Sequence, residues 1–157
     1  VAERGEYKIH VAIVEHHRIA FPQVKLIHIP MSFRTSQEAF FANQMGAEKG
    51  AHDLMLIWKE EDGTPGVGFF EVKSETGKLS TPQNKFASSV AWYGCKTGMG
   101  RSVKDYHNTL ISWGLKPACQ SVIEPDLRDE KQKLADHFDF YGFGNTKQPQ
   151  NPWKNPN

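Results

Sequence analysis

Asp53-Leu54-Met55-Leu56-Ile57-Trp58, followed after a polar interval by Val67-Gly68-Phe69-Phe70-Glu71-Val72-Lys73-Ser74, decides how the rest of the chain is read. The first segment is mostly apolar, as a buried strand is. The interval Glu61-Asp62-Gly63-Thr64-Pro65-Gly66 carries Asp-Gly and Pro-Gly, which are strong turn signals. The spacing therefore predicts two strands joined as a hairpin. Side chains alternate along a strand, so Glu71 and Lys73 share one face while Val72 points into the core. An antiparallel partner brings Asp53, at the start of the first strand, to the end of the second. Two carboxylates and one ammonium are then expected at one edge of the sheet.

Upstream, Ile9, Ala12, Ile13 and Val14 recur at helical spacing, which predicts a helix from Gly5 to about Phe21, closed by Pro22. Val24 to Ile29 reads as a strand ended by Pro30, and residues 31–36 as a loop. A short helix is expected over 36–45, capped by Thr35 or Ser36 and ended by Gly46. Downstream, Ser80-Thr81-Pro82-Gln83 is a helix start with a cap and a proline in the first turn, predicting a helix to about Tyr93. A strand over 95–101 and a helix over 102–113 follow, and a last helix is expected over 126–140. The order α-β-α-β-β-α-β-α gives an α/β fold, a mixed β-sheet with helices around it. The expected division is a core over 1–114, a helical extension of the same domain over 115–141, and a flexible tail over 142–157.

The chain has 157 residues, 38% hydrophobic and 24% charged, a composition of a globular rather than a disordered protein. No apolar run approaches the roughly 20 residues that cross a bilayer, and no signal-peptide h-region opens the chain. No membrane association and an intracellular, cytoplasmic location are therefore expected. The net charge of +1 neither announces nor excludes a nucleic-acid partner. Cys95 and Cys119 have no metal-ligand spacing and read as reduced thiols. His16-His17 are adjacent on a helix, diverge by about 100° and read as surface residues. Trp58, Trp92, Tyr93, Tyr106 and Trp113 read as core aromatics.

Asp53, Glu71 and Lys73 carry the chemistry. Hard divalent ions take carboxylate oxygens, water and phosphate oxygens, and a lysine beside them stabilises charge on a phosphate. Spacing alone favours a solvated salt bridge on an edge strand. The apolar setting of Phe69-Phe70 and of the Asp53 strand favours the reactive reading, because half-buried charges need compensation.

The stretch from Gly46 to Leu56 and the stretch from Gly68 to Gln83 hold G-x-x-D (Gly50 to Asp53), F-x-E-x-K (Phe69 to Lys73) and G-x-L-S-x-x-Q (Gly77 to Gln83) in order. In this the chain resembles the VRR-NUC family, the virus-type replication-repair branch of the PD-(D/E)XK nucleases, over about residues 4 to 114. The resemblance implies a restriction-endonuclease-like fold and a Mg²⁺- or Mn²⁺-dependent endonuclease acting on DNA. It implies Asp53, Glu71, Lys73 and Gln83 as catalytic residues, with Glu6, Asp53, Glu71 and the Val72 carbonyl holding the metal. Glu3 and Glu15 are alternatives to Glu6, and a capping role is an alternative for Gln83. Lys49, Arg34 and His10 are candidates for substrate contacts, each with a solvated surface charge as the alternative. By resemblance, a homodimer resolving four-way (Holliday) junctions in a phage recombination system is expected. A nicking, flap, single-strand or duplex nuclease is an alternative, and so is a junction-binding module without catalysis. The family's usual proline before the aspartate is His52 here, and its common glutamine one helical turn after Glu6 is His10.

Overall fold

The hairpin forms as the turn residues require. In the computed structural model, strand β2 (Leu54–Lys59) and strand β3 (Pro65–Val72) pair antiparallel, with Leu54 opposite Phe70 and Lys59 opposite Pro65. Asp62 closes the turn by accepting from the Thr64 amide and hydroxyl. Strand β1 (Lys25–His28) pairs antiparallel with β2, and strand β4 (Lys96–Gly100) runs parallel to β3. The sheet order is β1-β2-β3-β4. Helices α1 (Ala2–Ala20), α2 (Ser36–Gln44), α3 (Thr81–Trp92) and α4 (Val103–Ser112) complete the element order expected from the sequence. The α/β fold, a mixed sheet flanked by helices, is thus the expected one. Residues 2–31, 33, 35–120 and 122 are described; the chain divides into units 1–125 and 126–157. The expected helix over 126–140 and the tail lie outside the described residues.

The two faces of the sheet differ. Leu54, Leu56, Trp58, Phe70 and Val72 turn to one face and join Ile13, Phe21, Tyr106 and Leu110 of the helices in the main core. Helix α4 comes close because the sheet offers glycine there: a Cβ on Gly68 would lie 2.5 Å from the Trp113 ring, and one on Gly98 2.6 Å from Thr109. The alternate residues face α3, where Phe69 meets Phe86 edge-on. Helix α3 starts with a capping box between Ser80 and Gln83, and its proline sits where no amide is needed. Among the described residues, no helix is long and apolar enough to cross a membrane.

Two sequence expectations are corrected by the core. His16 and His17 are buried, not surface residues. They continue the stripe of Ile9, Ala12, Ile13 and Ala20 on α1, and each finds a polar partner. His16 Nε2 lies 2.9 Å from His107 Nδ1. His17 donates from Nε2 to the Val24 carbonyl (2.8 Å), and its Nδ1 accepts from the Tyr106 hydroxyl (2.7 Å). Burial pushes the Tyr106 pKa far up, so that hydroxyl remains a donor. Trp92 and Tyr93, in contrast, are exposed at the end of α3, packed against each other rather than into the core. Trp58 and Tyr106 are buried as expected, and Cys95 and Cys119 are free thiols.

Candidate active site

The register that builds the sheet also builds the site. With Leu54 opposite Phe70, the next pair along the ladder is Asp53 and Glu71, both on the face toward α3. The Val72 amide donates to Asp53 Oδ2 (2.8 Å) and the Ile29 amide to the Asp53 carbonyl (2.8 Å), which fix that residue at the sheet edge. Glu71 is 2% exposed, covered by the first turn of α3 and by His52. Its Oε1 accepts from Lys73 Nζ (2.5 Å) and from Gln83 Nε2. Its Oε2 has no hydrogen-bond partner and lies 3.5 Å from His52 Nδ1, which has none either.

Electrostatics follow from this burial. Desolvation pushes the Glu71 carboxyl up to about 7, the Lys73 hydrogen bond works against the shift, and the charge of Asp53 adds to it. Burial lowers the His52 pKa, with Asp53 opposing, which keeps the imidazole neutral. A neutral His52 supplies no compensating charge to Glu71. The carboxylate therefore sits in a place where a cation is welcome, and Lys73 is the one beside it.

Glu6, Lys49, Asp53, Glu71, Lys73 and Gln83 all line one cleft of about 570 Å³. Glu6 reaches it from the first turns of α1, where its Oε2 accepts from the Ser74 amide (3.3 Å). Lys49 reaches it from the loop before β2. That loop ends at Gly50, whose φ of 90° and close approach to the Pro82 backbone leave no room for a side chain. Gln83 caps α3 and also touches Glu71: its Oε1 accepts from the Ser80 amide (2.9 Å) while its Nε2 donates to Glu71 Oε1. His10 stands beside the cleft, with its ring edge-on to His28 at 4.8 Å. Burial, helped by His28, lowers the His10 pKa. Arg34 lies outside the described residues.

His28, Asn43 and Ser80 also line the cleft and were not singled out from the sequence. His28 ends β1 opposite Leu54, one register step from Asp53, so only the strand pairing reveals it. The donors suit a hard cation: an unpartnered buried oxygen on Glu71, with Asp53 beside it and Glu6 on the same cleft. Among the described residues, no three His, Cys, Asp or Glu side chains are grouped to hold a metal ion as they stand. Each of these carboxylates is engaged by a protein donor through one oxygen.

No family model matches this chain, and no curated protein matches it. Among solved structures, a VRR_NUC domain protein is matched with a TM-score of 0.47 and 16% sequence identity. That match covers 67% of this chain and 83% of the other.

Proposed function

We propose that this chain is a metal-dependent nuclease that hydrolyses phosphodiester bonds in DNA. One observation carries the reading: a buried Glu71 with an unpartnered oxygen shares a cleft with Asp53, Glu6, Lys73 and Lys49. The order of the three motifs that span Gly50 to Gln83 supports it independently. Asp53 and Glu71 hold Mg²⁺ or Mn²⁺, with Glu6 and the Val72 carbonyl completing the protein's share. A bound ion supplies a lowered pKa for an attacking water and neutralises charge on the scissile phosphate. Lys73 sets its ammonium beside Glu71 and stabilises the negative charge that grows on the phosphate. Lys49 grips a neighbouring phosphate from the cleft wall. Gln83 holds Glu71 in orientation through its amide.

The preferred substrate in this reading is branched DNA, a four-way junction above all, cut by a homodimer of the kind found in phage recombination. A two-fold pair of active sites suits a two-fold substrate, since each subunit meets one of two equivalent strands. The test is cleavage of labelled four-way junction, flap, single-stranded and linear duplex DNA with Mg²⁺, Mn²⁺ or EDTA. Paired symmetric cuts in the junction support the full reading. Cutting of another substrate keeps the nuclease and replaces the junction preference. Saturable junction binding by folded protein, with no cleavage in either metal, favours a binding module instead.

A further inference from the structure

Arg101, the residue after β4, makes no salt bridge among the described residues. Its guanidinium donates from Nε (3.2 Å) and a terminal nitrogen (2.8 Å) to one backbone oxygen, the Gly77 carbonyl. Its own amide is fixed by Asp105 Oδ2 at 2.9 Å, so the head of α4 anchors the arginine. Gly77 lies in the loop between β3 and α3, where its amide donates to the Ser74 carbonyl (3.0 Å). It rests on the aliphatic stem of Lys73: a Cβ on Gly77 would lie 3.2 Å from both Lys73 Cβ and Cδ. The Lys73 amide in turn donates to the Gly100 carbonyl (2.9 Å), the residue before Arg101. The loop thus lies against the lysine stem, and the strand that holds the Lys73 backbone is followed by the residue that clamps that loop.

From these contacts we infer that Arg101 is a positioning residue for Lys73. By clamping the Gly77 carbonyl, it presses the loop onto the Lys73 stem and keeps the ammonium on Glu71, at the wall of the cleft that both residues line. A planar guanidinium can give two parallel donors to one oxygen with little loss of freedom, which a lysine at this position cannot. The mechanical claim stands on the contacts alone, and its consequence for rate rests on the nuclease reading above.

The test reads Lys73 directly. Wild type, Arg101→Ala, Arg101→Lys and Gly77→Ala are pulsed with an amine-acylating reagent, and modification is followed site by site by mass spectrometry, with Lys59 and Lys96 as exposed internal standards. Lys73, 12% exposed in its ion pair, is expected to label slowly in wild type. In Arg101→Ala its labelling rises roughly 3-fold or more relative to the standards, as local opening would produce. Arg101→Lys stays closer to Arg101→Ala than to wild type. Gly77→Ala raises Lys73 labelling with Arg101 intact, because the added methyl lifts the loop from the stem. A lower thermal midpoint with unchanged relative labelling of Lys73 in Arg101→Ala would make Arg101 a structural staple only and overturn the inference. Where wild type cleaves DNA, Arg101→Ala lowers the single-turnover rate by about 10-fold, within what misplacement of a catalytic group costs. That loss disappears in a Lys73→Ala background, and an undiminished loss there overturns the inference too. The labelling result is independent of cleavage, so an inactive wild type would defeat the nuclease reading while leaving this one decided.

Discussion

Gln83 offers the sharpest test of how the helix cap and the site are joined. Its side chain accepts from the Ser80 amide and donates to Glu71 Oε1. The first bond is an ordinary capping contact, worth about 0.5–1.5 kcal/mol net, and the second, to a charged acceptor, about 1.5–3 kcal/mol. Gln83→Ala should therefore lose about 2–4.5 kcal/mol, which lowers the thermal midpoint by about 4–18 °C for a chain of this length. The informative variant is Gln83→Glu. Glutamate is a standard partner in a capping box and keeps the acceptor for Ser80, but it replaces the donor with a second carboxylate against a buried one. It should be at least as destabilised as Gln83→Ala in thermal unfolding with EDTA present. A Gln83→Glu protein as stable as wild type would reduce Gln83 to a cap and refute its link to Glu71.

Three further outcomes are expected. Lys73→Ala should remain folded and lose about 10²-fold or more in cleavage rate, as loss of a partner for transition-state charge does; near-normal single-turnover cleavage would remove Lys73 from the mechanism. Tyr106→Phe leaves buried His17 Nδ1 without its donor and should cost about 1–3 kcal/mol in urea unfolding, with no change at the cleft. Burial holds the pKa of His16 and of His17 below the usual value of about 6.5, with His107 adding to the effect at His16 and the Val24 carbonyl opposing it at His17. Their contribution to stability is thus complete above the unfolded pKa and is lost as pH falls toward the folded one. Glu71, shifted upward, acts in the opposite sense over part of that window, so the readout is a difference: wild-type stability relative to His17→Asn should shrink as pH falls below about 6.5. A constant difference across that range would show that His17 is not held neutral by the fold.

The elements whose signals are local were legible in the sequence. The turn at 61–66 and the alternation along Phe69-Phe70-Glu71-Val72-Lys73 were enough to bring Asp53 to the end of the strand that carries Glu71, while the register itself came from the pairing. The cap at Ser80 was legible for the same reason. What escaped depends on partners far along the chain. His16 and His17 lie on the apolar stripe of α1, but only the packing of α4 supplies His107 and Tyr106. Polar residue type misled there, and apolar type misled at Trp92 and Tyr93, which are exposed at the end of α3. The parallel placement of β4 beside β3 and the arrival of His28 at the cleft follow from strand order, which no local pattern encodes. The anchoring of Arg101 was not legible either, because its acceptor is a backbone carbonyl, invisible in residue types.

The proposed metal-dependent hydrolysis of DNA at Asp53 and Glu71 is tested most directly by single-turnover cleavage with wild type beside Asp53→Asn. Circular dichroism should first establish that both proteins are folded. The account predicts cleavage by wild type in Mg²⁺ or Mn²⁺, none in EDTA, and loss of cleavage in Asp53→Asn. Metal-independent cleavage, or equal rates for the two proteins, would contradict it.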